Sequence, residues 1–440
     1  MVTASFPSPE APSPAALARL VTLVCAAQVL VQIGAFFWPA LLPGMMQRWS
    51  LSNSEAGWVT AAFYGAYMLS VPVLVTLTDR VDPKRVYLFG VGCTVLAHLL
   101  FGLVADGFWS ALALRALAGV GWAGTYMTGL KLLADRVDRR LMSRAVTGHA
   151  ASIGLSGAAS FACADLLEDL FGWRMAFVLV AASAALAWAM VAWRVPAREA
   201  DAAPAKPADG GTLFDFRPVI ANRSAMAYAL AYCVHTLELN AIRGWGVAFL
   251  GYVALSGGGG PPWLAPTTAL TLLALAGTLA SIAGNEASIR LGRRRLVSAA
   301  MIGSALLAGS IGWLGSGSYA LALGLLFLWG LVAWLDSSSL TAGSAGTADP
   351  ARRGATLAVH SMLGYAGGFV GPLLVGFVLD LSGGMSAAGW SAAFAAIGGL
   401  MLIALALFRI LRPRDLDGDA AAPDGDQAGR STTGSNPRGR

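Results

Sequence analysis

The side chains of this chain that could do chemistry are ionisable groups set inside long apolar stretches. Arg115 and Lys131 share one stretch and His149 and Asp165 the next. His235, Glu238 and Arg243 share another, while Asp336 and His360 stand singly in two more. A charge held in hydrocarbon costs about 2.5–3.5 kcal/mol, so such residues are expected where an ion, a proton or a polar substrate is handled. The stretch around Glu238 is the richest. At about 100° per residue, His235, Thr236, Glu238, Asn240 and Arg243 occupy one helical arc of about 200°. His235 and Glu238, three apart, are neighbours on that arc. Glu238 and Arg243 are five apart, so each is expected to meet another helix or the substrate. A carboxylate in a low-dielectric cavity can take up and release a proton. Glu238, with His235 beside it, or Asp336 is therefore the expected proton-coupling group. Arg243 and Asn240, with Lys131 or Arg115, are expected to hold an anionic or polar substrate. On an ideal helix Arg115 and Lys131 point about 160° apart, so at most one faces a cavity squarely. The competing account of all these residues is a buried structural network between helices.

His149 and His360 occupy matching places in their stretches, as paired gates or as the trace of a duplication. His98 stands alone and is expected to be a core histidine. Asp165 and Glu286 lie near the ends of apolar runs and fit interfacial roles. Neither a paired-carboxylate metal site nor a nucleophile–base set occurs, and no phosphate-binding loop is present, so the sequence points away from an enzyme and calls for no cofactor or metal. Cys25, Cys93, Cys163 and Cys233 all fall in apolar runs and read as small core residues.

These positions need elements to hold them, and the composition says which. Of 440 residues, 56% are hydrophobic and 12% charged, with a mean hydropathy of +0.64. Soluble domains carry roughly 25% charged residues, so a soluble enzyme of this length is excluded. Twelve apolar runs are each long enough to cross a bilayer, at 21–42, 56–77, 86–104, 108–133, 145–166, 175–193, 225–250, 265–287, 296–314, 319–341, 355–378 and 390–410. Helices are expected, because unpaired backbone is too costly in lipid. Lys and Arg gather in alternate loops, such as Arg136, Arg139, Arg140 and Arg144, or Arg290, Arg293, Arg294 and Arg295; the intervening loops carry Arg48 and Arg174. That bias predicts that both termini are cytoplasmic. The expected organisation is a cytoplasmic N-terminus (1–20), a six-helix bundle (21–195), a cytoplasmic linker (196–220), a second six-helix bundle (221–411) and a disordered cytoplasmic tail (412–440). Gly154 and Gly157 recur as Gly364 and Gly367, and Gly172-Trp173 with Phe177 recurs as Gly389-Trp390 with Phe394, so the halves repeat one another. Two parallel six-helix units facing each other across a midplane site form a transporter architecture.

The loop VTLTDRVDPKR, Val75 to Arg85, resembles the signature loop of the major facilitator superfamily. Leu77, Asp79, Arg80, Lys84 and Arg85 match, with Val75 and Asp82 where the family has glycine. RLGRRR at Arg290–Arg295 is similar to the same signature in the second half, with Ile289 in place of its acid. Arg115, Gly119, Gly121 and Ala123 resemble the family's fourth-helix pattern, and Phe171–Phe177 its entry to the sixth helix. Gly119, Gly121 and Gly124 also spell a dinucleotide-type glycine motif, but inside an apolar helix they are expected to serve close packing. Asp79 among basic neighbours fits a gate latch, with Arg80 and Arg85. No Gly-Pro step occurs in the fifth helix, unlike in the family's antiporters.

An all-α membrane protein is thus expected, with twelve transmembrane helices in two pseudo-symmetric six-helix bundles. The resemblance implies a secondary transporter working by alternating access between the halves. Its expected cargo is a small polar or anionic metabolite, with protons as the driving ion. Efflux of hydrophobic compounds or drugs by proton antiport is the alternative, and a membrane-embedded enzyme or sensor a remote one. A multi-pass monomer in the bacterial inner membrane is expected, meeting lipid, protons and a small molecule but no nucleic acid.

Overall fold

The computed structural model describes residues 14–78, 80–137, 139–197, 216–258 and 264–420. Among them the regular structure is helical: α1 (Pro14–Gln32), α2 (Phe37–Trp49), α3 (Asn53–Leu77), α4 (Pro83–Val104), α5 (Phe108–Ala134), α6 (Arg139–Arg194), α7 (Arg217–Ala221), α8 (Arg223–Val253), α9 (Pro266–Leu291), α10 (Arg293–Gly315), α11 (Tyr319–Leu335), α12 (Ser337–Gly346), α13 (Arg353–Leu381) and α14 (Ala387–Leu411). Nine helical stretches among the described residues are long and apolar enough to cross a membrane. One of these, Ala145–Arg194, has the length for two crossings and breaks at Gly172, whose φ of 78° is a backbone conformation that glycine adopts without strain. The long helices α5 and α8, which carry Arg115, Lys131, Glu238 and Arg243, are not among these nine. With α1–α2 and α11–α12 each counted as one crossing, the helices agree with the twelve apolar runs.

Two crossings are discontinuous. Between α1 and α2 the chain unwinds at residues 33–36, and the freed backbone groups find side chains. The Phe36 N–H donates to Ser160 Oγ at 2.9 Å, and Arg115 Nη1 donates to the Ala35 carbonyl at 3.1 Å. Between α11 and α12 the break falls at Asp336 (φ −94°, ψ −5°). Both breaks lie beside the interface between the halves.

Small residues bring the helices together, as packing in lipid requires. Gly119 on α5 abuts the Phe63 carbonyl of α3, while Gly121 and Gly124 meet Thr94 and Gly90 of α4. On the other half, Gly367 and Gly371 press α13 against the Cys233 and Leu237 carbonyls of α8. The halves meet where α3 packs on α13, α2 on α8, and α6 on α9. The described parts of the Lys- and Arg-rich loops come together at one end of the bundle, called here the basic end, where Asp82 meets Arg136, Lys84 meets Val195, Asn222 meets Thr347 and Ala420 meets Ile289.

At the edges the structure departs from expectation. Helix α1 begins at Pro14, inside the segment expected to precede the bundle, and α7 forms over the end of the expected linker. The first residues of the expected disordered tail are packed: Tyr228 Oη donates to the Arg414 carbonyl at 2.9 Å, the Arg414 N–H donates to Ser224 Oγ at 2.9 Å, and the Ala420 N–H donates to the Ile289 carbonyl at 2.8 Å. Low hydropathy on its own suggests disorder for these polar residues, but their bonding partners lie on distant helices. Residues 421–440, most of the linker and the gate candidate Asp79 lie outside the described residues.

Candidate functional site: a cavity between the halves

A cavity of about 140 Å³ lies between the halves, walled by α8 and α11–α13 on one side and by Phe36, Phe63, Tyr64 and Trp122 on the other. From α8 it receives Tyr232, His235, Thr236, Leu239, Asn240 and Arg243. These positions follow the three- and four-residue spacing of one helix face. Arg243 is the cation of this chamber. Its guanidinium lies over Trp334 at 4.9 Å and over Phe36 at 5.5 Å from the ring centroids, and Nη1 donates to Asn240 Oδ1 at 3.3 Å. Among the described residues it pairs with no carboxylate. Asn240 is itself fixed by an Nδ2 bond to the Thr236 carbonyl at 2.8 Å.

His235 Nδ1 lies 2.8 Å from Asp336 Oδ1, and both side chains are almost fully buried, at 1% and 4% exposure. The break at Asp336 places this carboxylate against α8, and the next residue, Ser337, lines the cavity. The two candidates that the sequence left on separate helices thus form one pair at the chamber wall. Glu238, at the far edge of the expected arc from Arg243, turns elsewhere. Its Oε1 accepts from Trp329 Nε1 at 2.5 Å inside the C-terminal half, and it does not line the cavity.

The other candidates are spread out. Arg115 is buried outside the chamber lining; besides the Ala35 carbonyl it covers the Phe63 ring at 4.5 Å, so it braces the break in the first crossing. Lys131 lies at the basic end of α5, 3.7 Å from Asp135, and does not reach the cavity. His149 and His360 each bond within their own half: His149 Nε2 to the Tyr126 carbonyl at 2.9 Å, and His360 Nε2 to Thr341 Oγ1 at 3.2 Å. Both rings stack on tyrosines, His149 on Tyr126 and His360 on Tyr232. Arg80 and Arg85 are exposed.

Towards the basic end the chamber is bounded by Tyr67 of α3 and Tyr365 of α13, stacked across the halves at 3.5 Å between ring centroids. The opposite end is closed by a contact that the sequence did not reveal. Asp380 of α13 accepts from the Asn53 N–H at 3.1 Å, from Asn53 Nδ2 at 2.8 Å and from the Ser54 N–H at 2.7 Å. It caps the first turn of α3, where free N–H groups and the helix dipole favour an anion. The Ser52–Glu55 capping box marks that helix start in the sequence, but nothing local pairs it with Asp380.

Each half is also locked at its basic end. In the first, Asp82, the residue that departs from the signature glycine, accepts from the Lys84 N–H at 2.9 Å and from Arg136 Nη2 at 3.0 Å. Lys84 Nζ donates to the Ala192 and Val195 carbonyls at 2.8 and 2.6 Å. In the second, Arg293 forms a fork with Asp419, Nε to Oδ2 and Nη2 to Oδ1, each at 3.0 Å. The acid missing at Ile289 is thereby supplied from beyond the last helix.

The fold has solved counterparts. A crystal structure of a bacterial homolog to the human lysosomal transporter Spinster, inward-facing and occupied, superposes with a TM-score of 0.75 at 14% identity, covering 94% of this chain and 100% of that one. A nucleoside transporter structure gives 0.73 at 13% identity, covering 89% and 100%. In sequence, the chain is 24% identical over 247 residues to Protein spinster homolog 1 of Homo sapiens, spanning 54% of this chain and 46% of that protein. It is 29% identical over 143 residues to Monocarboxylate transporter 11 of Homo sapiens, spanning 32% and 30%. The matched part thus spans less than half the length of these relatives. The family model described as Major Facilitator Superfamily matches residues 24–268 and 263–435, and with the two six-helix halves around a central chamber it establishes that the chain belongs to this superfamily of membrane transporters.

Proposed function

We propose that the protein carries a small anionic or polar molecule across the bacterial inner membrane by alternating access, coupled to protons, as a monomer with its basic end in the cytoplasm. Arg243 carries this reading. A guanidinium held between aromatic rings in a chamber between the halves, with no carboxylate partner among the described residues, is a charge left for a ligand to neutralise. The buried His235–Asp336 pair beside it is the proton site, because adding or removing a proton there changes the charge of the chamber wall. Alternation would release the Asp380 clamp at one end and the Tyr67–Tyr365 stack at the other in turn. Any gating role of Arg80, Arg85, His149 and His360 belongs to the basic end, to which the sequence alone assigns Asp79.

Counterflow in proteoliposomes tests the charge preference with a panel of small organic anions, each paired with its neutral amide. Exchange of the anions and not of the amides is expected. Equal exchange of both members would overturn the anionic reading. The aromatic walls, Phe36, Phe63, Trp122 and Trp334, favour one second possibility, export of a hydrophobic compound. Exchange of lipophilic dyes that no organic anion inhibits would decide for it.

A further inference from the structure

A groove of about 600 Å³, larger than the central cavity, opens at the basic end between α10 and α14. Its lining includes the guanidinium side chains of Arg294, Arg295, Arg409 and Arg412. The acid among its lining residues is Asp415, whose Oδ1 accepts from the Arg294 N–H at 2.8 Å. Arg293 is withdrawn from the groove by its fork with Asp419, whereas the four groove arginines are solvent-facing and take part in no ion pair among the described residues. Below the charges the wall is apolar, with Ala299, Ile302 and Phe408. The outward faces of the two helices continue apolar towards the middle of the bundle, with Leu306 at 69% and Ile403 at 58% exposure.

We propose that this groove binds the headgroup of an anionic phospholipid from the leaflet at the basic end, with its acyl chains laid along α10 and α14. The charge pattern fits a phosphodiester, which arginine forks can hold by paired hydrogen bonds. A phosphate at this depth meets basic side chains whose stems lie against apolar surface. The continuous apolar floor distinguishes a lipid from a soluble phosphate, which would gain nothing from Ile302 and Phe408. The site is separate from the transport chamber and does not rest on the proposed cargo.

The test uses the full chain purified in a neutral detergent. Native mass spectrometry and thermal unfolding are followed on addition of phosphatidylglycerol, of phosphatidylcholine with the same acyl chains, and of inorganic phosphate. Retained phosphatidylglycerol adducts and a higher unfolding temperature are expected with that lipid alone. The double variant R294Q/R412Q should bind it roughly 30-fold more weakly, since two basic side chains no longer meet the phosphate, whereas Arg353→Gln, at the same end but outside the groove, should bind as wild type does. Should the double variant fail to fold, Asp415→Asn gives an independent reading: removing the one acid should strengthen phosphatidylglycerol binding. Equal adducts with phosphatidylcholine, unchanged binding by R294Q/R412Q, no gain in Asp415→Asn, or equal stabilisation by inorganic phosphate would each overturn the proposal.

Discussion

Replacing Arg243 by glutamine should weaken anion binding strongly while leaving the empty protein about as stable as before. The substitution removes a 3.3 Å bond to Asn240 and the stacking on Trp334 and Phe36 at 4.9 and 5.5 Å. A long hydrogen bond contributes about 1 kcal/mol or less, and each cation–π interaction about 0.5–2 kcal/mol. Against these stands the penalty of holding a half-buried guanidinium without a counter-charge, about 1–3 kcal/mol. The two sides roughly cancel, so the unfolding free energy should move by about 1 kcal/mol at most. Binding has no such cancellation. An anion paired with a half-buried cation in such a chamber loses about 2–4 kcal/mol when the cation is removed, which at about 1.4 kcal/mol per decade is roughly a 30- to 700-fold weaker affinity. The neutral amide should change by less than about three-fold, since it uses no charge. Arg243→Lys should recover part of the loss, because a point charge attracts the anion without the fork geometry. Counterflow inhibition gives the affinities, with the strongest anion of the panel and its amide as paired probes, and thermal unfolding gives the stability. Anion affinity within about five-fold of wild type, or a large loss of stability in the empty protein, would refute the reasoning and leave Arg243 as part of a structural network.

The clamp and the Glu238–Trp329 bond carry two further expectations. Asp380→Ala removes three hydrogen bonds between the halves at the end opposite the basic one. It should shift the balance towards opening there by about 2–4 kcal/mol, read as faster maleimide labelling of a Leu239→Cys reporter from that side in a background without the native cysteines; unchanged labelling would deny Asp380 a gating role. Glu238→Gln keeps an acceptor for Trp329 Nε1, so it should cost about 1–2 kcal/mol of stability and retain gradient-driven uptake. If uphill uptake vanished while counterflow persisted, the coupling role would return to Glu238.

The crossings were legible in the sequence because hydrocarbon thickness imposes a length and a composition on each helix separately. Close helix packing was legible in the same way: Gly119, Gly121 and Gly124 lie on one helix and need only a neighbour's backbone. The chamber was half legible. The arc from His235 to Arg243 marked α8, but an arc of about 200° is wide enough for one edge to face a cavity and the other a bundle interior. Only the indole of Trp329, on α11, decides that Glu238 belongs to the interior. The pairing of His235 with Asp336 depends on where two halves of a broken helix come to rest, and Asp380 is in sequence the unremarkable end of an apolar run, given meaning only where α3 meets it. The packed residues 412–420 lack a hydropathy signal, although the missing acid at Ile289 beside four arginines hints that a carboxylate comes from elsewhere in the chain.

The most direct test of the central claim is Asp336→Asn in proteoliposomes, measuring anion accumulation driven by a proton gradient alongside equilibrium counterflow of the same anion. Asparagine keeps the size of the residue beside His235 but cannot carry the proton. The variant is expected to exchange the anion in counterflow at near the wild-type rate and to lose uphill accumulation. Full gradient-driven accumulation by Asp336→Asn would contradict the assignment of the His235–Asp336 pair as the proton site.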